Sequence, residues 1–450
     1  AGDTVTKIGV FVVNIVVMVL DSLRHDKVGC YGSPVRTPEI DNLATQGVVL
    51  ERFYAEFPNT IPARTALVGG IYTFTNRPWK ALEPSDPHIA ELFQEAGYRT
   101  AAFSDTPFNN GAHMDRGFDE FNHFAMGKCL PPIDDQPRLP ADDAYLAPGF
   151  PEKEYRFYPN TKTNRAYCMQ KYGKYLPELM TDAVEKWLGE HRNDRFFLWI
   201  DSFNPHEPWD APEPYRSMYP AGPAGGYEGR YIPFPMGPEM DWVRPGDLEH
   251  VHALVNACAT ETDHYVGRIL ARLDDLDLTE DTLLVLLSDH GVPLGEHGSI
   301  RKFNYPLYEE LSHPICLYRW PGKLPAGART SALTQNLDML PTLCAAAGLE
   351  PPFEPEGKSL LPVMQGEEER VREYLFLGAF NYNGGVVTED GWKFIDNRGK
   401  KPDELFNLPQ DPREESNVIR QNVDLAQDLY RRLYDFHEPW RWKRSRHHVR

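Results

Sequence analysis

The sequence predicts an α/β fold built on a large, mostly parallel sheet flanked by helices, with a small C-terminal α+β subdomain of antiparallel strands. Apolar, β-branched runs alternate with amphipathic stretches over most of the chain, which is the pattern of repeated βα units. Polar residues stand directly after several of these runs, where ligands bind in such folds. The composition shifts towards Pro, Glu and Arg after about residue 348. We therefore expect a main domain over residues 1–347 and a subdomain with a tail over 348–450.

The first elements follow from local patterns. Residues 11–20 are apolar and rich in valine, which is typical of a buried strand. Pro38 and the spacing of the apolar residues after it predict a short helix within 37–47. A second helix is expected from Arg64 onward. Residues 87–96 predict a third helix that stops at a glycine, followed by a strand over 100–103.

The later elements repeat this alternation. An amphipathic helix over 179–191 leads into a strand over 196–200. A long helix over 251–273 precedes the run 282–287, which has the strongest strand character in the chain. Residues 374–395 predict a small set of antiparallel hairpins.

Composition and charge exclude several protein classes. Hydrophobic residues make up 41% and charged residues 25%, as in ordinary globular proteins. A net charge of −19 argues against a nucleic-acid partner, which requires a basic face. The run 11–20 is too short to span a bilayer, so no membrane insertion is expected. Six cysteines without Cys-x-x-Cys spacing indicate a reducing cytoplasm of bacterial type, or a periplasm if a signal peptide has been removed.

Acidic and imidazole side chains follow two of the predicted strands. Asp21 comes directly after the first strand, although a helix cap or an ion pair with Arg24 would also explain a carboxylate there. Asp289 and His290 follow the run 282–287 and offer two adjacent ligands to one cation. Gly-Glu-His-Gly and then Lys302 come shortly after, so basic and acidic groups are expected at one sheet edge.

A set of dispersed motifs resembles the sulfatase family, within the alkaline phosphatase superfamily. The family's Cys/Ser-x-Pro-x-Arg pattern corresponds to Thr60 through Arg64, and its Asn-Pro-His-x-Pro pattern corresponds to Asn204 through Pro208. The resemblance runs nearly end to end and its motifs occur in the family's order. Its remaining matches are Asp21-Ser22, Ser288 through Gly291, Lys302, Asp338 with Pro341-Thr342-Leu343, and Glu404 through Leu408 with Asp411-Pro412.

The resemblance implies an alkaline-phosphatase-like sandwich and an ester hydrolase with one divalent metal ion. Asp21, Asp289 and His290 would be the metal ligands, together with Thr60 and more weakly Ser22. Calcium, manganese or magnesium is expected, with zinc or iron as alternatives. His206 and Lys302 would contact the anionic group of a small-molecule ester. The resemblance leaves a homo-oligomer open.

Three departures from the family pattern change the expected chemistry. Thr60 stands where the family has a formylglycine precursor, and threonine cannot be oxidised to formylglycine. Ser22 replaces a second aspartate. The family's Gly-Lys-Trp-His motif is absent, and residues 101–106 are closer to the phosphonate monoester and phosphodiester hydrolase branch. This resemblance makes Ser104 and Thr106 candidates for substrate binding.

The expected mechanism uses Thr60 as an alkoxide nucleophile that is stabilised by the metal and by Arg64. Lys302 and His206 would neutralise the anion, and His206 is a better donor to the leaving oxygen than His113 or His297. A threonine ester has no second hydroxyl to expel sulfate, so water must cleave it. This favours a phosphodiester or a phosphonate monoester as the substrate.

Three alternatives remain open from the sequence. The same residues would suit a sulfuric ester hydrolase with slower turnover. A non-catalytic homologue that binds an anion is favoured by the missing motif and by Ser22, whereas the retained Arg64 argues against it. Thr60 would also be explained by an engineered replacement of a natural cysteine or serine.

Overall fold

The computed structural model describes residues 13–75, 79–109, 111–124, 168–169, 171–207, 209–220, 243, 246–300, 302, 305–379 and 384–447. Within these ranges the predicted α/β class is confirmed. Fourteen strands form one large sheet, a two-stranded ribbon and a four-stranded sheet.

The large sheet has eight strands and is mostly parallel. Its order along the sheet is β5-β4-β6-β1-β7-β8-β2-β9, with β8 antiparallel to both of its neighbours. The strands are β1 (Asn14–Leu20), β2 (Val48–Leu50), β4 (Arg99–Ser104), β5 (Glu120–His123), β6 (Phe196–Ser202), β7 (Thr282–Ser288), β8 (Cys316–Arg319) and β9 (Ala328–Thr330). β3 (Phe53–Tyr54) and β10 (Thr334–Gln335) form the ribbon.

The centre of the sheet is buried on both faces, which explains why its strands are continuously apolar. Successive residues of β1 point to opposite faces. Val17 and Val19 belong to one hydrophobic core, and Val16 and Met18 belong to another. The prediction of a parallel sheet covered on both sides is therefore confirmed.

Helices supply both covering layers. One layer contains α1 (Pro38–Gln46), α4 (Leu176–Glu190) and α5 (Asp247–Asp275), which pack in the core that includes Val16. The other contains α2 (Thr60–Gly69), α3 (Ile89–Glu95) and α7 (Met339–Ala347), which pack in the core that includes Val17. α6 (Glu309–Ser312) and α8 (Leu361–Gln365) are short connecting helices.

The C-terminal part forms a separate antiparallel sheet, as the sequence predicts. It contains β11 (Tyr374–Gly378), β12 (Gly384–Thr388), β13 (Trp392–Asp396) and β14 (Glu404–Asn407), in that order. After this sheet the chain forms α9 (Val423–His447), in the region where the sequence predicts a tail. Ala426, Leu429 and Leu433 bury one stripe of α9 against the sheet. The boundary between 347 and 348 stays a prediction.

None of the helices in the described ranges combines the length and the apolar character that a membrane crossing needs.

Candidate functional site

Four parallel strands place acidic residues at one edge of the large sheet. Asp21 follows β1, Asp289 follows β7 and Asp105 follows β4, while Asp201 lies near the end of β6. The register is tight, since Leu20 pairs with both Ser202 and Ser288. The carboxylates therefore meet at the carboxyl edge, where ligands bind in such sheets.

Asp21, Asp289 and His290 form a fully buried group. One ligand atom from each residue lies within 4.8 Å of the others. His290 Nε2 is 3.2 Å from Asp289 Oδ2 and 3.7 Å from Asp21 Oδ1. The structure thus brings together three of the residues that the sequence predicts as metal ligands.

The imidazole of His290 is oriented for coordination. Its Nδ1 lies 2.8 Å from the backbone oxygen of Gly291. Because a carbonyl only accepts hydrogen bonds, Nδ1 carries the proton and Nε2 keeps its lone pair in the neutral ring. Burial first, and Lys302 second, lower the pKa of His290 well below its usual value, so the ring is neutral at pH 7.

Thr60 places its hydroxyl beside this group. It is the first residue of α2, all of which is buried, and its Oγ1 lies 3.4 Å from His290 Nε2. The amino end of a helix carries a partial positive charge that favours a developing negative charge nearby. The position suits a hydroxyl that reacts as an alkoxide.

Arg64 lies one turn after Thr60 on α2 and ties the acidic residues together. Its guanidinium binds Asp201 in a bidentate manner, at 2.9 and 2.6 Å. The same group lies 2.5 Å from Asp289 and 3.2 Å from Asp21. Its contact with Thr60 is to the backbone oxygen, at 3.2 Å. Through these contacts Arg64 positions the three carboxylates. The sequence predicts a different role, in which Arg64 stabilises the alkoxide.

Ser22 orients two metal-ligand candidates. Its hydroxyl donates to Asp21 Oδ1 at 2.9 Å, and its backbone N–H donates to Asp289 Oδ1 at 3.0 Å. The residue has a φ of 66°, a left-handed conformation that non-glycine residues rarely adopt. Ser22 therefore supports Asp21 and Asp289 from a strained turn.

Lys302 brings a positive charge to the same place. Its Nζ lies 3.0 Å from His290 Nε2, 3.3 Å from Ser22 Oγ and 3.9 Å from Asp21 Oδ1. The side chain is 7% exposed, so this ammonium acts in a poorly solvated site where its field is strong. It is well placed to meet a bound anion.

His206 lies in the loop after β6 and is also buried. Its Nδ1 is 2.6 Å from the backbone oxygen of Glu207 and 3.3 Å from the Glu207 carboxylate. Burial, the largest effect, lowers the pKa of His206, and Lys302 adds to the lowering while Glu207 opposes it. His206 is therefore mostly neutral at pH 7, and it acts as an acid only after it gains a proton.

Ser104 and Thr106 surround Asp201. Thr106 Oγ1 donates to Asp201 at 2.9 Å, and Ser104 Oγ accepts from the Thr106 N–H at 3.2 Å and from Asn109 at 2.9 Å. Asn109 also donates to Asp201 at 2.7 Å. The two hydroxyls thus belong to the hydrogen-bond network around Asp201. Their role in substrate binding stays a prediction.

The donor set fits a divalent cation. Asp21 Oδ2 is buried and accepts no hydrogen bond from the described residues, although it pairs ionically with Arg64. Asp21, Asp201 and Asp289 carry three formal negative charges against two positive charges on Arg64 and Lys302. A divalent ion would reverse this excess and leave a net positive site for an anionic ester.

Asp201 and Asp105 are functional candidates that the sequence did not assign to a role. Both stand at strand ends, which is the signal that could have found them. Arg64 reaches Asp201 from α2, and Asp105 meets the backbone of Phe203 through the pairing of β4 with β6. That pairing has no local sequence signature.

Fold and site together define an ester hydrolase of the alkaline-phosphatase-like class. A family model described as sulfatase matches residues 13–349, and the chain belongs to the sulfatase family. A second model, described as N-sulphoglucosamine sulphohydrolase, C-terminal, matches residues 295–438. The family normally binds a divalent metal ion.

Curated relatives extend over most of the chain. An N-acetylglucosamine-6-O-sulfatase of Bacteroides thetaiotaomicron is 24% identical, covering 90% of this chain and 82% of its own. An arylsulfatase of Clostridium perfringens is 26% identical and covers 90% of both chains. The phosphonate monoester hydrolase of Agrobacterium radiobacter has the same fold, with a TM-score of 0.74, 22% identity and coverage of 95% and 96%.

Proposed function

We propose that this chain hydrolyses phosphodiester or phosphonate monoester bonds with Thr60 as the nucleophile. The observation that carries the proposal is the Thr60 hydroxyl at the amino end of α2, 3.4 Å from His290 Nε2 and beside the buried carboxylates of Asp21 and Asp289. The partial positive charge at the helix terminus would stabilise an alkoxide in this position, and so would a cation held by the neighbouring carboxylates.

One divalent ion would be held by Asp21, Asp289, His290 and Thr60. Oxygen ligands with one imidazole suit calcium, manganese or magnesium, and zinc or iron are alternatives. When bound, the ion supplies Lewis-acid stabilisation of negative charge on oxygen. Ser22 contributes through hydrogen bonds to the two carboxylates.

The side chains of the site account for both halves of the reaction. Thr60 Oγ1 gives up its proton to solvent, attacks phosphorus and forms an ester, while the bond to the leaving oxygen breaks. Protonated His206 gives its proton to that oxygen, and Lys302 offsets charge on the other oxygens. Water then attacks phosphorus, and the Thr60 oxygen leaves and regains a proton.

The choice of phosphorus over sulfur follows from Thr60. A formylglycine hydrate expels sulfate with its second hydroxyl, but a threonine ester lacks that group and depends on attack by water. Phosphorus accepts this second in-line attack. The phosphonate monoester hydrolase among the solved structures agrees in fold alone, so its name gives the proposal only a plausible substrate class.

Hydrolysis of a sulfate ester is the second candidate. It is favoured by the curated relatives, which are described as sulfatases and cover 90% of this chain. Both candidates use the same residues and differ in the bond that is cleaved.

Turnover of matched p-nitrophenyl esters distinguishes the candidates. The protein would be loaded separately with Ca²⁺, Mn²⁺, Mg²⁺ or Zn²⁺ and given the sulfate, phosphate, phosphodiester and phenylphosphonate. We expect release from the diester or phosphonate. Thr60→Ala should lower kcat by at least about 10³-fold, and Thr60→Ser should retain part of it.

Thr65→Ala is the matched control, since Thr65 is another buried threonine on α2. Unchanged activity in Thr60→Ala would contradict the nucleophile assignment. Preference for the sulfate would support the second candidate. An ion that binds without release from any ester would overturn both in favour of an anion-binding homologue.

A further inference from the structure

The loop that carries His206 is attached to the sheet at Phe203. The aromatic ring of Phe203 stacks on the imidazole of His206, with ring centres 4.2 Å apart and planes at 21°. The His206 backbone N–H also donates to the Phe203 oxygen at 2.8 Å. Phe203 therefore supports one face of the imidazole, while Glu207 contacts its Nδ1.

Phe203 is in turn held by a carboxylate from another strand. Its backbone N–H donates to Asp105 Oδ1 at 2.6 Å, and the Asp105 N–H donates to the oxygen of Asp201 at 3.2 Å. Asp105 is only 3% exposed. It links the end of β4 to the loop after β6, and its side chain reaches the segment just before His206.

A carboxylate is costly in this place. Burial raises the pKa of Asp105 to about 7, with Asp201 and Asp21 adding to the rise and the Phe203 N–H opposing it. An amide or a hydroxyl would accept the same hydrogen bond without placing a further acid beside Asp201. The carboxylate nevertheless accepts the Phe203 N–H at 2.6 Å, a short hydrogen bond that ties the loop to the end of β4.

We infer that Asp105 is a positioning residue for His206, acting through the backbone and ring of Phe203. This inference rests on the proposed function, in which His206 protonates the leaving oxygen. A second contact to the loop, from Asn204 Nδ2 to Glu261 at 3.2 Å, fixes the neighbouring residue from α5. Asp105 is the contact that reaches the residue stacked on His206.

The test compares leaving groups of different basicity. A p-nitrophenolate departs without a proton, whereas a phenolate depends on the acid. Asp105→Ala should lower kcat on the phenyl ester by about 10- to 100-fold and on the p-nitrophenyl ester far less, because a small displacement of the acid weakens proton transfer. Asp105→Asn keeps an acceptor for the Phe203 N–H and should recover most of the rate.

A double variant separates positioning from a merely structural role. Asp105→Ala combined with His206→Ala should be no slower on the phenyl ester than His206→Ala alone, because both changes remove the same contribution. Asp263→Ala is the matched control. Asp263 is a buried aspartate of α5 that accepts the backbone N–H groups of Glu39 and Ile40 in α1 rather than those of the loop that carries His206. It should lower stability without changing the leaving-group dependence.

Each failure has its own signature. Equal losses on both esters, or additive losses in the double variant, overturn the role of Asp105. If His206→Ala itself shows no leaving-group dependence, the proposed function of His206 fails instead. The ¹⁵N resonances of the His206 ring give a readout that does not depend on turnover. Asp105→Ala should shift these resonances, and Asp263→Ala should not. Unshifted resonances in Asp105→Ala overturn the inference. Asp105→Leu, which fills similar space and also lacks an acceptor for the Phe203 N–H, replaces Asp105→Ala if the latter does not fold.

Discussion

At the scale of single residues, Arg64 is the buried cation that pairs with three carboxylates of the site. It meets Asp201, Asp289 and Asp21 while being only 1% exposed. Burial opposes its charge, but the three carboxylates outweigh this and raise the pKa of Arg64 well above its usual value. Its planar fork suits the bidentate contact with Asp201, which a lysine cannot reproduce.

Arg64→Met should therefore destabilise the protein by about 3–5 kcal/mol, because it leaves buried carboxylates without a partner. Arg64→Lys should recover part of this loss, since it restores the charge without the fork. Urea unfolding of both variants measures the effect. Wild-type stability in Arg64→Met would show that the carboxylates find other partners.

The depressed pKa of His206 leads to a pH prediction. A lowered pKa means that the imidazole holds its second proton only in more acidic solution. We expect kcat/KM for a phenyl ester to fall as pH rises, with a midpoint below the ordinary histidine value of about 6.5. His206→Gln should lack this alkaline limb. A limb that persists in His206→Gln would assign it to a different group.

The sequence predicts the site residues that lie in local patterns. It does not predict the contacts that depend on which elements pack together. Asp289 and His290 are adjacent, and Asp21 ends an apolar run, so their grouping at one sheet edge was predictable. The pairing of Arg64 with Asp201 joins residues 137 positions apart. It depends on how α2 packs against the end of β6, and the sequence contains no local signal for that.

At the scale of elements, a buried ionic group joins the C-terminal sheet to α6. Lys393 of β13 is 0% exposed and lies 2.9 Å from Glu309 and 3.1 Å from Glu414. Burial raises the pKa of Glu309, but Lys393 and then His313 outweigh it, so the pKa is lowered. His313 supports this pairing at 2.8 Å.

Lys393→Met should cost about 3–5 kcal/mol in unfolding free energy, because it removes the ammonium that pairs with the buried Glu309 carboxylate. Lys401→Met is the surface control, since Lys401 is exposed and its pairing with Glu404 has little effect on stability. Thermal unfolding of the two variants should differ clearly. Equal melting temperatures would contradict a stabilising role for the buried group.

Element types were predicted more securely than element ends. The strands β1, β6 and β7 have long apolar runs, and their type was correct. No helix was predicted over residues 423–447, where α9 lies, and the basic residues at the end of the chain suggested a tail. The apolar stripe through Ala426, Leu429 and Leu433 shows that α9 is anchored by packing earlier in its length.

At the scale of the whole molecule, metal binding is expected to stabilise the fold. An ion that binds only the native state adds about 2.7 kcal/mol at a hundredfold excess over its Kd. For a chain of this length that corresponds to a rise of about 3 °C in Tm. Calorimetry with and without a chelator measures this shift. Asp289→Asn should be insensitive to the chelator, and a wild-type Tm that ignores chelation would refute the metal site.

The positions of Thr60 and Arg64 on α2 separate the reacting group from the residue that holds the carboxylates. Arg64 binds the carboxylates through its own side chain and touches residue 60 only at the backbone. The hydrogen bonds by which Arg64 holds Asp21, Asp201 and Asp289 therefore do not involve the side chain at 60. A change of the reacting atom at residue 60 leaves these contacts in place, so the group that attacks and the frame that positions the carboxylates are separable parts of the site.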